Sequence, residues 1–301
     1  MKKLPMVVLT FALTLPAQER TVAPTWLHRY VPDLPEKTTD FTFAHPMEGN
    51  RYFKIPSCHY TPIFGEGDSE AKALQSVARF GEVTIEAGGF CAPTGYLRQE
   101  ELYFVLSGSG VLWYHEATHA LRTNDFAYVP PEVRHHLVAS PDHPLHLVIA
   151  TVKLAPEIST SAPPPEPMVA NLDELKEQTV EGHPTSVLYK LLIGPHTAAR
   201  DRINAAYEVA DFFLMDFAPG GTNSPHHHEV EEEIYLVLDG EGKMVAGSGT
   251  DGVEGLYPAK AGDAYYFRPN CTVGFYNQDT AGAKAHILAL RAYVPLPKNP
   301  D

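Results

Sequence analysis

An internal repeat constrains what this chain can fold into more than any other feature. The segment GGFCAPTGYLRQEELYFVLSGSG, which starts at Gly88, aligns without gaps with GGTNSPHHHEVEEEIYLVLDGEG, which starts at Gly220. Further along, NDFAYVPPEVRHHL aligns with GDAYYFRPNCTVGF, which pairs Asp125 with Asp263. A chain of 301 residues has room for two domains of ordinary size. The repeat therefore predicts two copies of one architecture in tandem.

Both copies have the pattern of β-structure. Short runs such as ELYFVLSGSGVLWYH and EIYLVLDGEGKMVAG are rich in alternating Val, Ile, Tyr and Phe, and turn-forming residues bound them. Long helical periodicity is nearly absent, and many evenly spaced short strands are typical of a sandwich or barrel. The sequence predicts an all-β protein of two tandem barrels, with one short helix in NLDELKEQ that Asn171 caps.

A Pro-rich, polar segment separates the two copies. It reads APEISTSAPPPEPMVANLDELKEQTVEGHPTS, and proline disfavours the interiors of both helices and sheets. The predicted division is a signal peptide at 1–18, an N-terminal barrel at 19–155, a linker at 156–174 in which the short helix begins, and a C-terminal barrel at 175–301.

The N-terminus has the pattern of a secretory signal. Lys2 and Lys3 precede the apolar stretch LPMVVLTFALTL, and Ala17 lies near a plausible cleavage site. That stretch is too short to cross a bilayer as a helix, and no other stretch is longer. We expect cleavage after Ala17 or Gln18, export to the periplasm or the extracellular space, and no membrane association of the mature protein. A buried N-terminal strand is the alternative interpretation.

Charge and cysteine content narrow the functional classes. The formal net charge is -14 and no Lys/Arg-rich block occurs, which argues against nucleic acid as a partner. In an exported protein, Cys58 and Cys91 could form a disulfide and leave Cys271 over, although the sequence does not establish a pairing.

The second copy contains a motif with the chemistry of a metal site. Gly220, His226, His228, Glu233 and Gly240 follow the spacing G-x5-H-x-H-x4-E-x6-G. On an extended chain His226 and His228 share a face while the residue between them points away. Glu233 has the opposite parity and can join them only if the chain turns or bulges in between. Two imidazoles and a carboxylate suit Fe, Mn, Ni or Zn and leave coordination positions open.

Alternatives to this metal site remain. A solvated His/Glu loop before a strand has a similar composition. Glu231 and Glu232 compete with Glu233, but the glycine spacing selects Glu233. Tyr235, Tyr265, Tyr276 and Gln278 are candidates to line the pocket, and aromatic residues serve equally well as core.

The motif, together with GDAYYFRPN downstream, resembles the conserved motifs of the cupin superfamily. Because the unit is repeated, the whole chain resembles a bicupin, a protein with two cupin domains in tandem. The family fold implies two small jelly-roll barrels. The second family motif usually ends in a fourth ligand histidine, and here Gly274 stands where that histidine is expected. By alternation Tyr276 and Gln278 share a face with Gly274 and could substitute, while Cys271 and His286 are looser candidates. In the first copy, Thr94 and Tyr96 replace the two histidines, while Glu101 and His135 remain.

The resemblance implies a metal-dependent enzyme that acts on a small organic molecule. The segments FAYVPPEVRHHL and MDFAPG are similar to ureidoglycine aminohydrolase-type bicupins, whose ligands follow a different order. Cupin dioxygenases, which hold a metal with several His and one Glu, imply oxidative chemistry, and we place dioxygenase-like chemistry ahead of hydrolysis. A non-catalytic metal- or sugar-binding module is the alternative. Exposed barrel edges would allow a homodimer.

Overall fold

The computed structural model describes residues 26–38, 57–248 and 253–295, so the predicted signal peptide at 1–18 lies outside the described residues. Almost all regular structure is β, as predicted. The strands of the first half are β1 (Trp26–Tyr30), β2 (Lys37–Thr38), β3 (Cys58–Gly65), β4 (Val77–Ile85), β5 (Gln99–Tyr114), β6 (Ala117–Arg122), β7 (Asp125–Val129), β8 (His135–Ala139), β9 (Leu145–Lys153) and β10 (Met168–Asn171).

The second half repeats the series. Its strands are β11 (Val187–Pro195), β12 (Ile203–Ala206), β13 (Val209–Phe217), β14 (Glu231–Asp239), β15 (Glu241–Ser248), β16 (Val253–Lys260), β17 (Asp263–Phe267), β18 (Cys271–Asn277) and β19 (Ala285–Tyr293). Helical structure in the described residues consists of single 3-10 turns at Val31–Asp33, Ala71–Ala73 and Leu172–Glu174. None of these helices is long and apolar enough to cross a membrane.

The strands form two jelly-roll barrels, which confirms the predicted fold class. In the first barrel a nine-stranded sheet runs in the order β10-β7-β5-β9-β4-β3-β2, with β6 and β8 both on β5. In the second barrel a seven-stranded sheet runs β1-β17-β14-β19-β13-β11-β12, and a three-stranded sheet runs β16-β15-β18. Strands β7, β5, β9 and β4 correspond to β17, β14, β19 and β13, so the sequence repeat is a repeat of topology.

Two strands do not follow the predicted division of the chain. Strand β1, inside the predicted first domain, pairs antiparallel with β17 of the second barrel, and His28 contacts Asp263 at 2.8 Å. Strand β10, inside the predicted linker, pairs antiparallel with β7 of the first barrel. Each added strand covers a sheet edge whose N–H and C=O groups would otherwise be unpaired. The two additions are equivalent in the two barrels.

The predicted helix at NLDELKEQ is shorter than expected. Asn171 does act as the N-cap, and its side chain accepts a hydrogen bond from the Asp173 N–H at 2.9 Å. The helix ends after one 3-10 turn, and Leu175 returns to extended backbone. Leu172 is buried in the core shared by the barrels.

Cys58 and Cys91 form a disulfide, the pairing that the sequence left open. The bond joins β3 to the loop that precedes β5. Cys271 is buried, and its thiol contacts the Gly247 carbonyl oxygen at 3.2 Å.

The central strand of each barrel is buried on both faces. On β14, Tyr235 and Val237 pack inside the second barrel, whereas Ile234 and Leu236 pack into a core shared by the two barrels. Strand β5 divides in the same way: Tyr103 faces its own barrel. This double burial explains why the strands read as nearly continuous apolar runs rather than as strict alternation.

A glutamate on each central strand hydrogen-bonds to the other barrel. Glu100 of β5 accepts hydrogen bonds at 2.8–2.9 Å from the backbone N–H groups of Tyr207, Glu208 and Val209, at the start of β13. The Tyr128 hydroxyl of its own barrel donates to the same carboxylate at 2.7 Å. Glu100 is fully buried, so these donors replace the water it has lost.

Glu232 of β14 makes the reciprocal contacts. Its carboxylate accepts hydrogen bonds from the backbone N–H groups of Gln75, Ser76 and Val77, at the start of β4, and from the Tyr266 hydroxyl. Glu232 is also fully buried. The two glutamates occupy equivalent repeat positions, so the interface between the barrels is held by a pair of matched carboxylate contacts.

Replacement of Glu232 by Ala should lower the free energy of unfolding by about 2–5 kcal/mol, because three backbone N–H groups and a hydroxyl lose their buried acceptor. Urea denaturation followed by tryptophan fluorescence measures this loss. The control is Glu116→Ala on the exposed turn between β5 and β6, which should change stability by less than about 0.5 kcal/mol. Equal stability of the two variants would contradict the proposed contribution of Glu232.

Candidate metal centre

The structure brings His226, His228 and Glu233 together. One potential ligand atom from each lies within 4.8 Å of the others. His226 is fixed by two backbone hydrogen bonds with Val273 of β18, at 3.0 and 2.8 Å. The chain bends at 229–230 before β14 begins, which is the turn needed to bring Glu233 onto the same side as the imidazoles.

His226 has one ring nitrogen engaged by a backbone carbonyl, whereas both ring nitrogens of His228 lie near charged groups, including Arg291 Nη1 at 3.2 Å from Nδ1 and 3.4 Å from Nε2. His226 Nδ1 lies 2.8 Å from the Ser224 carbonyl oxygen, which can only accept, so the proton is on Nδ1 and Nε2 is left with a free lone pair. His228 Nδ1 lies 3.2 Å from Glu231, while its Nε2 lies 3.5 Å from Glu233 Oε2. A carbonyl or carboxylate behind the ring is the usual arrangement of metal-binding histidines.

Burial lowers the pKa of both imidazoles. At His226 burial is the largest cause, the hydrogen bond to Ser224 opposes it, and His183 and His227 lower the pKa further. At His228 burial, followed by the neighbouring histidines, lowers the pKa to about 4. Both rings are therefore neutral at pH 7, which is the form that binds a metal ion.

Glu233 is the clearest sign that a cation fits here. The side chain is buried, and no described residue donates a hydrogen bond to its Oε2 atom. A buried carboxylate oxygen without a donor is costly, and a cation between it and two neutral imidazoles removes that cost. Two nitrogen donors and one oxygen donor suit Fe, Mn, Ni or Zn. The residues present therefore fit a divalent transition metal.

The three residues lie at the wall of a cavity of about 260 Å³ inside the second barrel. Its other lining residues come from the loops before and after β11 and from β11, β13, β14 and β19; they are Val180, Glu181, His183, Tyr189, Leu191, Arg200, Asp211, Phe213, Tyr235 and Arg291. The volume limits a bound molecule to a small one, since drug-sized ligands occupy about 300–1,000 Å³.

Only one of the predicted pocket residues lines this cavity. Tyr235 does, whereas Tyr276 is 39% exposed and, with Gln278, borders a separate surface depression. Tyr265 packs in the barrel core and donates its hydroxyl to the Pro258 carbonyl. The prediction for Tyr276 and Gln278 is wrong because β18 turns that face outward: the buried residues Val273 and Phe275 point into the barrel instead.

The structural register also corrects the position of the missing ligand. In the first barrel Thr94 bridges His135, and the equivalent bridge in the second barrel joins His226 to Val273. Val273, rather than Gly274, therefore occupies the place of the second-motif histidine. Gly274 faces outward against Pro225, to which a Cβ atom at position 274 would approach within 2.9 Å.

Two arginines in the cavity wall were not predicted as site residues from the sequence. Arg291 on β19 pairs with Asp211 on β13 and lies 3.3 Å from Glu231 and 3.2 Å from His228 Nδ1. Arg200, from the loop after β11, pairs with the same buried Asp211. These residues lie far from the motif in sequence; the pairing of β14 with β19, and of β19 with β13, brings them close to it.

The equivalent place in the first barrel is filled by protein groups. His135 Nε2 lies 2.9 Å from Glu101 and 2.9 Å from the Tyr103 hydroxyl. Arg79, fully buried, interacts electrostatically with Glu101 and stacks 4.9 Å from the centre of the Tyr96 ring. The buried guanidinium of Arg79 thus offsets the charge of the Glu101 carboxylate in the first barrel.

Comparison with known proteins agrees with this architecture. The sequence model of the cupin domain family matches residues 81–151 and 213–289 of this chain. Similar solved structures include oxalate decarboxylase of Lactobacillus farciminis in a formate complex, at 12% identity over 89% of this chain and 87% of that one, with a TM-score of 0.62. The protein Ylba of E. coli is 16% identical over 93% of this chain and 99% of that chain, with a TM-score of 0.58.

AerE of Microcystis aeruginosa is a third similar structure, at 15% identity over 82% of this chain and 96% of that chain, with a TM-score of 0.55. Likeness at such identities establishes a shared fold and nothing about activity. A comparison of the sequence with curated proteins finds no match.

Replacement of His226 by Ala should weaken Zn²⁺ binding by more than the roughly 10- to 100-fold that loss of an outer hydrogen-bond partner typically costs, because a ligand itself is lost. A competition titration with a chelating dye measures the dissociation constant. His227 is exposed and points away, so His227→Ala should leave the constant within about 2-fold of the original. Equal losses in both variants would overturn the assignment of His226.

Metal binding should also release a proton from Glu233. Burial, followed by the charge of Glu231, raises the pKa of Glu233 well above its ordinary value, so the metal-free carboxyl holds a proton to higher pH than usual. Binding requires the carboxylate, so metal affinity should fall as the pH drops below that raised pKa. The histidines have lowered pKa values and contribute no proton at pH 7.

Calorimetric titration of Zn²⁺ at pH 7 in buffers of different ionisation enthalpy counts the released protons. We expect proton release on Zn²⁺ binding to the unaltered protein and a smaller release, or none, for Glu233→Gln. Glu101→Gln, the same change at the equivalent position of the first barrel, should keep the release. No proton release from the unaltered protein would contradict this assignment.

Proposed function

The chain is a member of the cupin superfamily with two cupin domains, and on this basis we propose that it is a metal-dependent enzyme whose second barrel acts on a small organic molecule by dioxygenase-like chemistry. One observation carries the proposal: two neutral imidazoles and a buried carboxylate, whose Oε2 atom has no hydrogen-bond donor among the described residues, converge on one small cavity. A divalent transition metal bound there would supply open coordination positions for substrate or dioxygen.

The protein groups around these ligands support a catalytic rather than a purely structural site. The three motif ligands occupy only part of the coordination sphere of a six-coordinate ion such as Fe, Mn or Ni, and even a fourth protein ligand would leave positions for an exogenous molecule. Leu191, Phe213 and Tyr189 form an apolar wall of the same cavity. Such a wall limits the access of water to a reactive substrate and strengthens the electrostatic interactions inside.

We further propose that the protein is exported. The apolar N-terminal stretch after Lys2 and Lys3 supports this, and so does the disulfide between Cys58 and Cys91, since disulfides persist mainly in oxidising compartments. Expression of the full chain in a bacterial host, followed by fractionation and N-terminal sequencing, should find a mature protein in the exported fraction that begins after Ala17 or Gln18. A full-length chain retained in the cytoplasm would contradict export.

Elemental analysis of the purified protein, followed by reconstitution with Fe²⁺, Mn²⁺, Ni²⁺ or Zn²⁺, tests the enzymatic proposal. We expect about one ion per chain, and oxygen uptake with at least one member of a panel of catechols, flavonols and β-diketones. The uptake should disappear in His226→Ala and persist in His227→Ala.

Other outcomes are equally informative. Hydrolysis of ureido compounds without oxygen uptake would replace the dioxygenase proposal by a hydrolase that uses the same ligands. A stoichiometric metal without turnover of any compound would favour a non-catalytic binding module. Absence of bound metal after reconstitution would overturn the metal centre itself.

A further inference from the structure

The strand that carries the second motif provides no fourth ligand. Its inward-facing residues are Cys271, Val273 and Phe275, and all three belong to the apolar core of the barrel. The Cys271 thiol contacts the Gly247 carbonyl oxygen. If the centre has a fourth protein ligand, it comes from another part of the chain.

His183 reaches the same cavity from the loop before β11. The centre of its ring lies 5.0 Å from that of His226, and the rings of His226 and His228 are 4.9 Å apart. The three imidazoles thus form a continuous row along one wall, with His226 in the middle. Successive rings meet edge to face, at 76° and 86°.

The orientation of His183 matches that of His226. Its Nδ1 atom lies 2.8 Å from the Asn223 carbonyl oxygen, as Nδ1 of His226 lies 2.8 Å from the Ser224 carbonyl oxygen. Because a carbonyl oxygen can only accept, Nδ1 of His183 carries the proton and Nε2 has the lone pair. Two adjacent carbonyl groups therefore set the same ligand-ready tautomer in two neighbouring histidines.

The backbone of His183 is held in place on both sides. A β-turn from Val180 to His183 is closed by a 3.1 Å hydrogen bond, and Gly182 has the φ of +85° that a type II turn requires at this position. Pro184 follows and restricts His183 to extended backbone. A loop fixed in this way places the imidazole at low entropic cost.

Asn223, whose carbonyl oxygen contacts His183, also contacts two strands of the second barrel. Asn223 is 1% exposed, its side-chain amide donates to the Tyr235 hydroxyl at 3.0 Å, and its Oδ1 accepts from the Phe275 N–H at 2.8 Å. Its carbonyl then holds His183. One buried residue therefore connects the His183 loop to β14, which carries Glu233, and to β18.

We propose that His183 is the fourth protein ligand of the metal centre, so that three imidazoles and one carboxylate hold the ion. The inference rests on the proposed metal site at His226, His228 and Glu233. The ligand atoms that lie within 4.8 Å of one another belong to those three residues, so ligation by His183 requires its side chain to shift toward the ion. His183 would reach the ion from the loop before β11 rather than from β18, which carries Val273.

Zn²⁺-loaded protein provides the test, with the dissociation constant and the X-ray absorption fine structure as readouts. We expect imidazole scattering from three rings in the unaltered protein and from two in His183→Ala and His183→Gln. The Zn²⁺ dissociation constant should rise at least about 10-fold in both variants. His227→Ala removes an exposed histidine that lies between His226 and His228 in the sequence. This variant should retain scattering from three rings and the original Zn²⁺ affinity.

Thermal unfolding of the metal-free proteins shows whether each His183 variant is folded, and His183→Gln preserves a side chain of similar size if His183→Ala is not. An unchanged ring count and unchanged affinity in folded His183 variants, alongside loss of Zn²⁺ in His226→Ala, would overturn the fourth-ligand proposal and leave the three-residue centre intact. Failure of the unaltered protein to bind Zn²⁺ would overturn both.

Discussion

The structure depends on two consecutive glutamates that point in opposite directions from each central strand. On β14, Glu232 accepts hydrogen bonds from the backbone of the other barrel. Because successive side chains of a strand point to opposite faces, the buried Glu233 faces the cavity of its own barrel. A slip of one residue in register would exchange the two carboxylates and leave both in the wrong environment. The contacts that join the barrels therefore also orient the candidate metal ligand.

The two barrels have balanced the same buried carboxylate by different means. In the first, Arg79 and His135 surround Glu101, and the guanidinium of Arg79 compensates its negative charge. In the second, Glu233 faces two neutral imidazoles; one oxygen of each carboxylate, Oε1 of Glu101 and Oε2 of Glu233, lacks a hydrogen-bond donor among the described residues. The duplicated sequence thus produces one barrel with a buried guanidinium beside the carboxylate and one barrel with two neutral imidazoles there, which favours a bound cation.

The fold was predictable because it is encoded in periodic patterns, and parts of the site were not. The repeat and the alternation of His226, His227 and His228 can be recognised from the sequence alone, because they do not depend on which strands pair with one another. The outward direction of Tyr276 and the role of Val273 depend on how β18 pairs with its neighbours, which spacing along the chain does not reveal. Arg291, Arg200 and His183 reach the cavity through long-range pairing, and a lone arginine or histidine carries no sequence signal of that kind.

The exchange of edge strands has a consequence for how the protein is made. Strand β1 pairs with β17, so that His28 meets Asp263 across a separation of 235 residues. Contacts between residues so far apart in the sequence form slowly. During synthesis β1 leaves the ribosome long before β17, its partner strand, has been made. The barrel that carries the candidate metal centre can be completed only after nearly the whole described chain has emerged. A C-terminal half expressed alone would expose the edge of β17 and tend to aggregate, so the second barrel depends on the N-terminal segment for its assembly.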